Sequence, residues 1–220
     1  MSTKMLKWDD TGTRIYETGT DRGVLYPIDA NGAYPLGVAW NGLTGVTEKP
    51  TGGDETALYA NNSKYASLRA AEEFAGTINA YTYPDEFAPC DGSATIAKGV
   101  TVSQQNHQKF GLSYRTILGN DVASDAFGYK LHLVYGATTA PSEREYATVN
   151  DKPDAITFSW DFTTDKIALT GHKPVASITI DSTEADAAKL AALEAILYGS
   201  ATAAARLPLP AEVITLMTAA

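Results

Sequence analysis

The chain has 220 residues, of which 44% are hydrophobic and 20% are charged, so it is long enough and apolar enough to bury a substantial core. Its net charge of −9 gives a surface that repels phosphate, which disfavours sequence-specific nucleic-acid binding. A single cysteine, Cys90, excludes an internal disulfide and a four-cysteine zinc site, and fits folding in a reducing cytosol. The first residues lack the apolar segment of a signal peptide, and no apolar run has the length of a membrane span.

Alternation of apolar and polar residues with a period of two dominates the chain, as in strands that bury one face. In one clear example, Leu131 and Leu133 alternate with Lys130 and His132. Many short strands separated by turn residues predict a mainly β fold, either a sandwich or a barrel. In chain order, the predicted strands are residues 24–28, 35–40, 74–83, 109–118, 128–136, 155–162 and 175–181.

One α-helix is predicted between Ser182 and Gly199, because a capping residue and acidic residues precede an alanine- and leucine-rich run that glycine ends. The apolar residues recur at helical spacing, so the helix is expected to lie on the sheet. A short helical turn is predicted at residues 84–90, since proline favours the first helical position. The leucines along one side of the helix are Leu190, Leu193 and Leu197.

Residues 41–58 hold four glycines and one proline and show no sustained period. They predict a long loop, and loops of this length in a compact domain usually carry function. We expect the loop to belong to a single domain over residues 1–200.

Residues 201–220 predict an extended C-terminal arm, because Pro208 and Pro210 remove two backbone donors and hold the chain extended. Apolar side chains after the prolines gain free energy only when some surface buries them. We expect a neighbouring subunit to supply that surface; the alternative is a tail folded back on its own domain. The predicted contact residues are Leu207, Leu209, Val213, Ile214, Leu216 and Met217.

The sequence predicts no catalytic, cofactor or metal site. No two of the three histidines lie three or four residues apart, as metal ligands on one element often do. Asp85, Glu86 and Asp91 lie beside Cys90, but Asp91-Gly92 is typical of a turn, and no base stands nearby in sequence to activate the thiol. The glycines of residues 42–53 do not have the spacing of a phosphate-binding loop.

Six colinear stretches carry a family resemblance. They are WNGLTGVTEKPTGGDETALYANNSKYASL (40–68), AEEFAGTINAYTYPDEFAPCDG (71–92), FGLSYRTILGNDV (110–122), GYKLHLVYGATTAPSEREYATVNDKPDAITFSW (128–160), KPVASITIDS (173–182) and LEAILYG (193–199). In this order they resemble the major tail-tube proteins of long-tailed, non-contractile bacteriophages. The resemblance leaves the role of residues 1–23 open.

This resemblance implies two packed sheets with a flanking helix, and a structural protein without catalytic residues or cofactors. It implies hexameric rings that stack into a tube, with inner strands joined in a continuous barrel around a lumen. The implied partners are further copies of the chain, a tape-measure protein, tail-terminator and tail-tip proteins, and DNA that passes without specific binding. The implied location is the virion, after synthesis in the bacterial host cytoplasm.

Within this family interpretation, the 41–58 loop is expected to stack one ring on the next, because it is too long and glycine-rich for a simple connection. The candidate stacking residues are Thr44, Glu48, Lys49, Pro50, Asp54 and Glu55. An acidic chain also predicts an electronegative lumen that does not hold DNA. The candidate lumen residues are Glu73, Asp121, Asp125 and Asp161.

Two alternatives belong to other functional classes. A β-sandwich that binds carbohydrate or peptide would present Trp8, Trp40 or Trp160 in a groove. A β-sandwich hydrolase would use the acidic cluster around residues 85–91.

Overall fold

The structure is a computed structural model that describes residues 5–148 and 155–218, and its regular elements are mainly strands. The strands are β1 (Ile15–Pro27), β2 (Val38–Ala39), β3 (Leu43–Glu48), β4 (Glu55–Ala60), β5 (Ser63–Arg69), β6 (Ala75–Ala80), β7 (Ala94–Ala97), β8 (Val100–Val102), β9 (Phe110–Asn120), β10 (Ser124–Thr139), β11 (Phe158–Thr164) and β12 (Ser177–Asp181). The helices are α1 (Ala187–Tyr198) and α2 (Pro210–Thr218), and a 3-10 turn spans Asp85–Phe87.

Eight strands form one antiparallel sheet in the order β2-β1-β9-β10-β11-β6-β3, and β12 joins it by pairing with β10. The hairpins β4–β5 and β7–β8 pair only within themselves among the described residues. Because consecutive long strands are antiparallel, the β9–β10 turn marks one end of the sheet, and the start of β9 and the end of β10 mark the other.

A corner in β10 divides this sheet into two layers. Lys130–Val134 pair with β12, whereas Ala137–Thr139 pair with β11. Between them Gly136 has a φ of +60°, and a side chain there would come within 2.7 Å of the Asp165 carbonyl oxygen. A left-handed glycine in a strand produces a bulge that turns its direction. The strand therefore changes partner at Gly136, and the predicted mainly β fold with packed sheets is confirmed.

The first core lies between the two layers and is rich in aromatic side chains. The ring centroid of Phe87, from the 3-10 turn, lies 4.7 Å from Trp40, 5.1 Å from Trp160 and 5.5 Å from Phe110. Tilted and edge-on contacts of this kind add to the free energy gained by burial. The helical turn predicted at residues 84–90 thus supplies the centre of this core.

The second core lies between the opposite face of the sheet and the two helices. Leu131 and Leu133 of β10 belong to it, whereas Val134 belongs to the first core, as a period of two requires. Helix α1 begins at an Asp186 cap, whose carboxylate accepts two backbone N–H bonds, and ends at Gly199. It buries the predicted side chains Leu190, Leu193 and Leu197, so the predicted helix is confirmed.

The predicted strands correspond to β1, β2, β6 and β9–β12, with boundaries that shift by a few residues. The largest shift is in β1, which begins at Ile15 rather than at residue 24. Its first half is mostly exposed and polar, so it lacks the alternation that marks a half-buried strand. Backbone pairing with β9, rather than apolar burial, defines this part of the strand.

The prediction of a long loop at residues 41–58 is wrong. Leu43–Glu48 form β3, which pairs with β6, and Glu55–Ala60 form one strand of the β4–β5 hairpin. The glycines that suggested a loop serve local geometry instead: Gly52 and Gly53 have φ values of +83° and +77° and form the turn between these two strands. Only this short connection is irregular.

The prediction of an extended C-terminal arm is also wrong. Pro210 occupies the first position of α2, where a missing N–H costs nothing and the fixed φ suits a helix. Leu207 and Val213 are 2% and 1% exposed and belong to the second core. The segment therefore folds back on its own domain, and residues 201–218 are not a separate unit.

The remaining predicted arm residues lie at the edge of the same core. Leu216 and Met217 pack against it, whereas Leu209 and Ile214 are 40% and 39% exposed. The second core of the same chain thus buries most of the apolar side chains that were predicted to contact a neighbouring subunit.

Candidate assembly surface

The β4–β5 hairpin is built from a two-residue turn and two short strands. Asn61 and Asn62 have φ values of 50° and 59°, the left-handed conformation that a type I′ turn requires at both central positions. Asparagine tolerates this conformation better than most residues. Six cross-strand pairs follow, from Ala60 opposite Ser63 to Glu55 opposite Arg69.

One face of this hairpin is apolar and exposed. Leu58 and Leu68 lie on the same face, because Leu58 pairs with Ala66 and Leu68 with Thr56, two positions along. They are 40% and 57% exposed. The hairpin also carries Tyr59 and Tyr65, which are 73% and 76% exposed.

Neither core includes a residue of the hairpin among those described. A two-stranded hairpin that packs against nothing is only marginally stable in water. Contiguous apolar surface of this kind marks a site of interaction with another molecule.

Polar contacts organise the other face. The Glu55 carboxylate accepts hydrogen bonds from the Lys64 ammonium and from the Ser67 hydroxyl. These two donors, Lys64 first, lower the pKa of Glu55. The hairpin is thus amphipathic, with an ionic face and an apolar face.

The base of the hairpin fixes its direction. Thr51 and Glu73 form a two-way backbone bridge with N···O distances of 2.8 Å. A side chain at Gly52 would come within 2.4 Å of the Ala71 carbonyl oxygen, so the two strands leading into the hairpin approach closely. The hairpin therefore continues from the end of β3, which lies level with the C-terminal part of β10 through β6 and β11.

The predicted stacking residues divide between the main sheet and the hairpin. Thr44 and Glu48 lie in β3, and the Glu48 carboxylate accepts a hydrogen bond of 2.7 Å from the Tyr114 hydroxyl. Lys49 follows β3 and lies 3.4 Å from the Asp161 carboxylate. Those near the hairpin are Pro50, Asp54 and Glu55.

The predicted lumen residues do not share one surface. Glu73 lies at the hairpin base, whereas Asp121 lies in the β9–β10 turn at the other end of the sheet. Asp125 accepts a hydrogen bond of 3.1 Å from the Tyr16 hydroxyl. Asp161 accepts one from Thr77 and lies beside Lys49, and these contacts lower its pKa. Asp121 and Asp125 thus lie together at the β9–β10 turn, whereas Glu73 and Asp161 lie on other elements.

Two of the strand edges that are open in the described part of the chain belong to the ends of the main sheet. β3 ends the sheet and pairs only with β6. β2 pairs with β1 at Val24 and Leu25, and the Trp40 N–H donates to the Gly23 carbonyl oxygen at 2.8 Å, so the outer edge of residues 15–22 has no partner strand among the described residues. Unpaired edges can accept a strand from another molecule.

The acidic residues around Cys90 do not point to a common site, because Asp91 is bonded to other side chains while Asp85 and Glu86 face solvent. Asp91 accepts a hydrogen bond of 2.9 Å from the Trp160 ring N–H and pairs with Arg144. Asp85 and Glu86 are exposed on the 3-10 turn. Cys90 is fully buried, and burial raises the pKa of its thiol to about 12, which disfavours the nucleophilic thiolate.

The histidines do not converge on a common site. His107 lies 3.0 Å from both the Cys90 carbonyl oxygen and the Thr139 hydroxyl, and His132 stacks on Tyr114 with ring centroids 4.7 Å apart. Within residues 5–148 and 155–218, no group of three or more His, Cys, Asp or Glu side chains could hold a metal ion. In the same ranges, no helix is long and apolar enough to cross a bilayer.

Two of the tryptophans proposed for a binding groove are in the core. Trp40 and Trp160 are 4% and 1% exposed, so neither presents a ring face to a sugar or peptide. Trp8 is 76% exposed, in a segment without regular structure.

Comparison with models of known protein families yields no match, and comparison with curated proteins yields no significant similarity. The candidate surface is therefore defined by its geometry. A signal for it exists in the sequence: Asn61-Asn62 stands between two alternating segments, which is typical of a tight hairpin.

Proposed function

We propose that the chain is the subunit of a bacteriophage tail tube, which forms hexameric rings that stack into a conduit for DNA. The observation that carries this proposal is the β4–β5 hairpin, which belongs to neither core and has Leu58 and Leu68 exposed on one face. A hairpin that gains stability only by contact is suited to joining successive rings. The colinear sequence resemblance over residues 24–210 supports the same function.

The open edges of β1 and β3 support ring formation. They belong to different strands and have different side chains, so one edge can pair with the other edge of a neighbour. Such pairing is heterologous and closes into a ring when the rotation between copies allows it. It also hides edges that otherwise invite aggregation.

The charge of the chain supports a role as a conduit. A net charge of −9 per subunit, repeated around a ring, gives walls that repel the phosphate backbone and do not retain DNA. The proposed partners are tape-measure, tail-terminator and tail-tip proteins, and the proposed location is the virion. We expect a negative electrostatic potential in the lumen. The structure of an assembled tube would test this, because it shows which charged side chains line the lumen.

Electron microscopy of the purified chain tests the proposal. We expect hollow rings or tubes with six-fold symmetry, and a Leu58→Ser/Leu68→Ser variant that remains folded but forms no long tubes. A matched control is Ile96→Ser/Val100→Ser in the β7–β8 hairpin, which removes two exposed apolar side chains elsewhere. Dispersed monomers of the unaltered chain under all conditions would contradict the proposal.

A further inference from the structure

A groove with a volume of about 790 Å³ lies at the base of the hairpin. Its apolar lining includes Phe74, Pro174 and Ala176. Cationic side chains of Arg69, Lys166 and Lys173 also line it. The groove therefore combines apolar side chains with three positive charges and with the two negative charges of Glu72 and Glu73.

These cations are available to a ligand. Among the described residues, none of the three forms a salt bridge with a carboxylate. The Lys166 ammonium donates a hydrogen bond to the Glu72 carbonyl oxygen, which leaves its charge uncompensated. Glu72 and Glu73 also line the groove, so a ligand that carries both signs of charge fits best.

The N-terminal segment of the same chain has matching chemistry. Met5, Leu6 and Trp8 are 85%, 77% and 76% exposed, and none belongs to a core. Asp9 and Asp10 follow directly. The segment therefore presents apolar side chains next to two negative charges, and Lys7 supplies a positive one.

The segment is anchored at the end of the sheet opposite the groove. The Gly12 N–H donates to the Asp121 carboxylate at 2.9 Å, and the Asn120 side chain donates to the Gly12 carbonyl oxygen at 3.2 Å. In addition, the Arg14 guanidinium donates to the Asp9 carbonyl oxygen at 3.0 Å. These bonds hold the segment at the β9–β10 turn.

The distance between anchor and groove excludes docking within one copy. Val134 pairs with Leu112 on one side and with Ser177, a groove residue, on the other. Eight residues separate Leu112 from Asn120, which is roughly 27 Å at ~3.4 Å per residue. Trp8 lies four residues from the anchored Gly12, so it reaches at most about 14 Å.

We propose that residues 5–10 of one copy dock in the groove of the next copy, with Trp8 on the apolar side chains of the groove and Asp9 and Asp10 beside the three cations. Ligand and groove lie at opposite ends of the subunit, so the contact is heterologous and repeats along a head-to-tail stack. A tryptophan in an apolar pocket surrounded by charge pairs is typical of an interface hot spot. This inference rests on the proposed function, because it supplies a second contact between successive rings beside the hairpin.

A peptide-binding experiment tests the docking directly. A fluorescent peptide of residues 5–14 is titrated with the full chain carrying Leu58→Ser/Leu68→Ser, which should prevent stacking through the hairpin and leave the groove accessible. We expect saturable binding, a loss of at least tenfold in affinity for the Trp8→Ala peptide, and a similar loss for a Lys166→Glu/Lys173→Glu chain. Lys98→Glu, an exposed lysine in the β7–β8 turn, is the matched control and should leave the affinity unchanged.

Charge exchange distinguishes a specific contact from general attraction. An Asp9→Lys/Asp10→Lys peptide should regain at least part of the lost affinity for the Lys166→Glu/Lys173→Glu chain. Equal binding of the original peptide by the Lys98→Glu and Lys166→Glu/Lys173→Glu chains, or no binding at all, would overturn the inference.

The outcome is separable from that of the proposed function. If the unaltered chain forms no tubes but the peptide binds as expected, the tail-tube proposal fails and the docking contact stands. If the chain forms tubes and a Trp8→Ala variant forms them equally well, with no peptide binding, the docking inference fails and the proposed function stands.

Discussion

The β4–β5 hairpin and the C-terminal segment both carry large apolar side chains, but only those of the C-terminal segment are buried. In the C-terminal segment, Leu207 and Val213 are almost fully buried against the sheet and α1. In the hairpin, Leu58 and Leu68 remain 40% and 57% exposed. The first segment completes the chain's own core, whereas the apolar side chains of the second stay exposed.

This difference shows that apolar content alone does not identify an assembly surface. The C-terminal segment lies beside the face of the sheet that forms the second core, where Leu207 makes a backbone bridge with Tyr34. Its apolar side chains are therefore buried within the same chain. The hairpin forms a separate two-stranded sheet and contributes to neither core among the described residues. Whether the apolar side chains of a segment are buried or exposed thus depends on where the backbone places that segment.

The largest effect should come from the C-terminal core. Leu207→Ala removes a side chain that is 2% exposed and leaves a cavity, so we expect a loss of about 2–5 kcal/mol in the free energy of unfolding. Ile214→Ala, on the 39% exposed side of α2, is the control and should cost markedly less. Chemical denaturation measures both. Equal losses would mean that the segment is not part of the core.

Acid should lower the free energy of unfolding through the C-terminal segment. Protonation of the hairpin carboxylate should not change it. Arg206 forms a two-pronged ion pair with Glu212, at 2.9 and 2.5 Å, which lowers the pKa of Glu212 below its ordinary 4.5. A lowered pKa means that the stabilisation is present above pH 4.5 and is lost as the pH falls through the folded-state value. Half-exposure of the pair keeps the effect small.

Two amide variants check this pH dependence. Glu212→Gln should flatten the fall in the free energy of unfolding below pH 4.5. Glu55→Gln, whose carboxylate also has a lowered pKa but lies in the hairpin, should leave the fall unchanged. A flattening of the same size in both variants would contradict the separation of the two regions.

A turn substitution should stabilise the hairpin alone. Asn62 has a φ of 59°, which glycine adopts with less strain, and Asn-Gly is the preferred type I′ pair. We expect Asn62→Gly to slow amide hydrogen exchange in residues 55–69 by a few-fold. The melting temperature should stay the same. Unchanged exchange in the hairpin would show that its turn does not limit its stability.

The smallest effect on subunit stability is expected from the hairpin's apolar face. Leu58→Ser/Leu68→Ser should change the free energy of unfolding by less than about 0.5 kcal/mol per site, because both side chains already contact water. Thermal unfolding of the isolated subunit measures this. A loss comparable to that of Leu207→Ala would place the hairpin within the core.

The same contrast explains what the sequence could and could not predict. Helix α1 buries one face, and in β10 the buried Leu131 and Leu133 alternate with the less buried Lys130 and His132, so periods of 3.6 and of two residues are visible in the sequence. The first half of β1 is mostly exposed, so its pattern carries no burial signal. Pro208 and Pro210 suggested an extended arm, whereas Pro210 begins α2. A proline that begins a helix and a proline that prevents one cannot be told apart from the neighbouring residues alone.

The assembly surface was harder to predict than the fold. The residues predicted for stacking include Glu55 of the hairpin, but Glu48 and Lys49 are engaged with Tyr114 and Asp161 on the main sheet. The sequence does not reveal that the apolar residues of the hairpin are exposed. Their exposure depends on where the Thr51–Glu73 bridge places the hairpin, and not on the residues themselves. Bridges such as Thr51–Glu73 join positions 22 residues apart, and no local pattern reveals them.

Hydrogen exchange measured on the isolated subunit and on the assembled state tests the central claim most directly. We predict that the amides of residues 210–218 are protected equally in both states, since their core is complete within one copy. The amides of residues 55–69 should exchange rapidly in the subunit and become strongly protected in the assembly. Rapid exchange of residues 55–69 in both states, or protection of residues 210–218 only after assembly, would contradict the account.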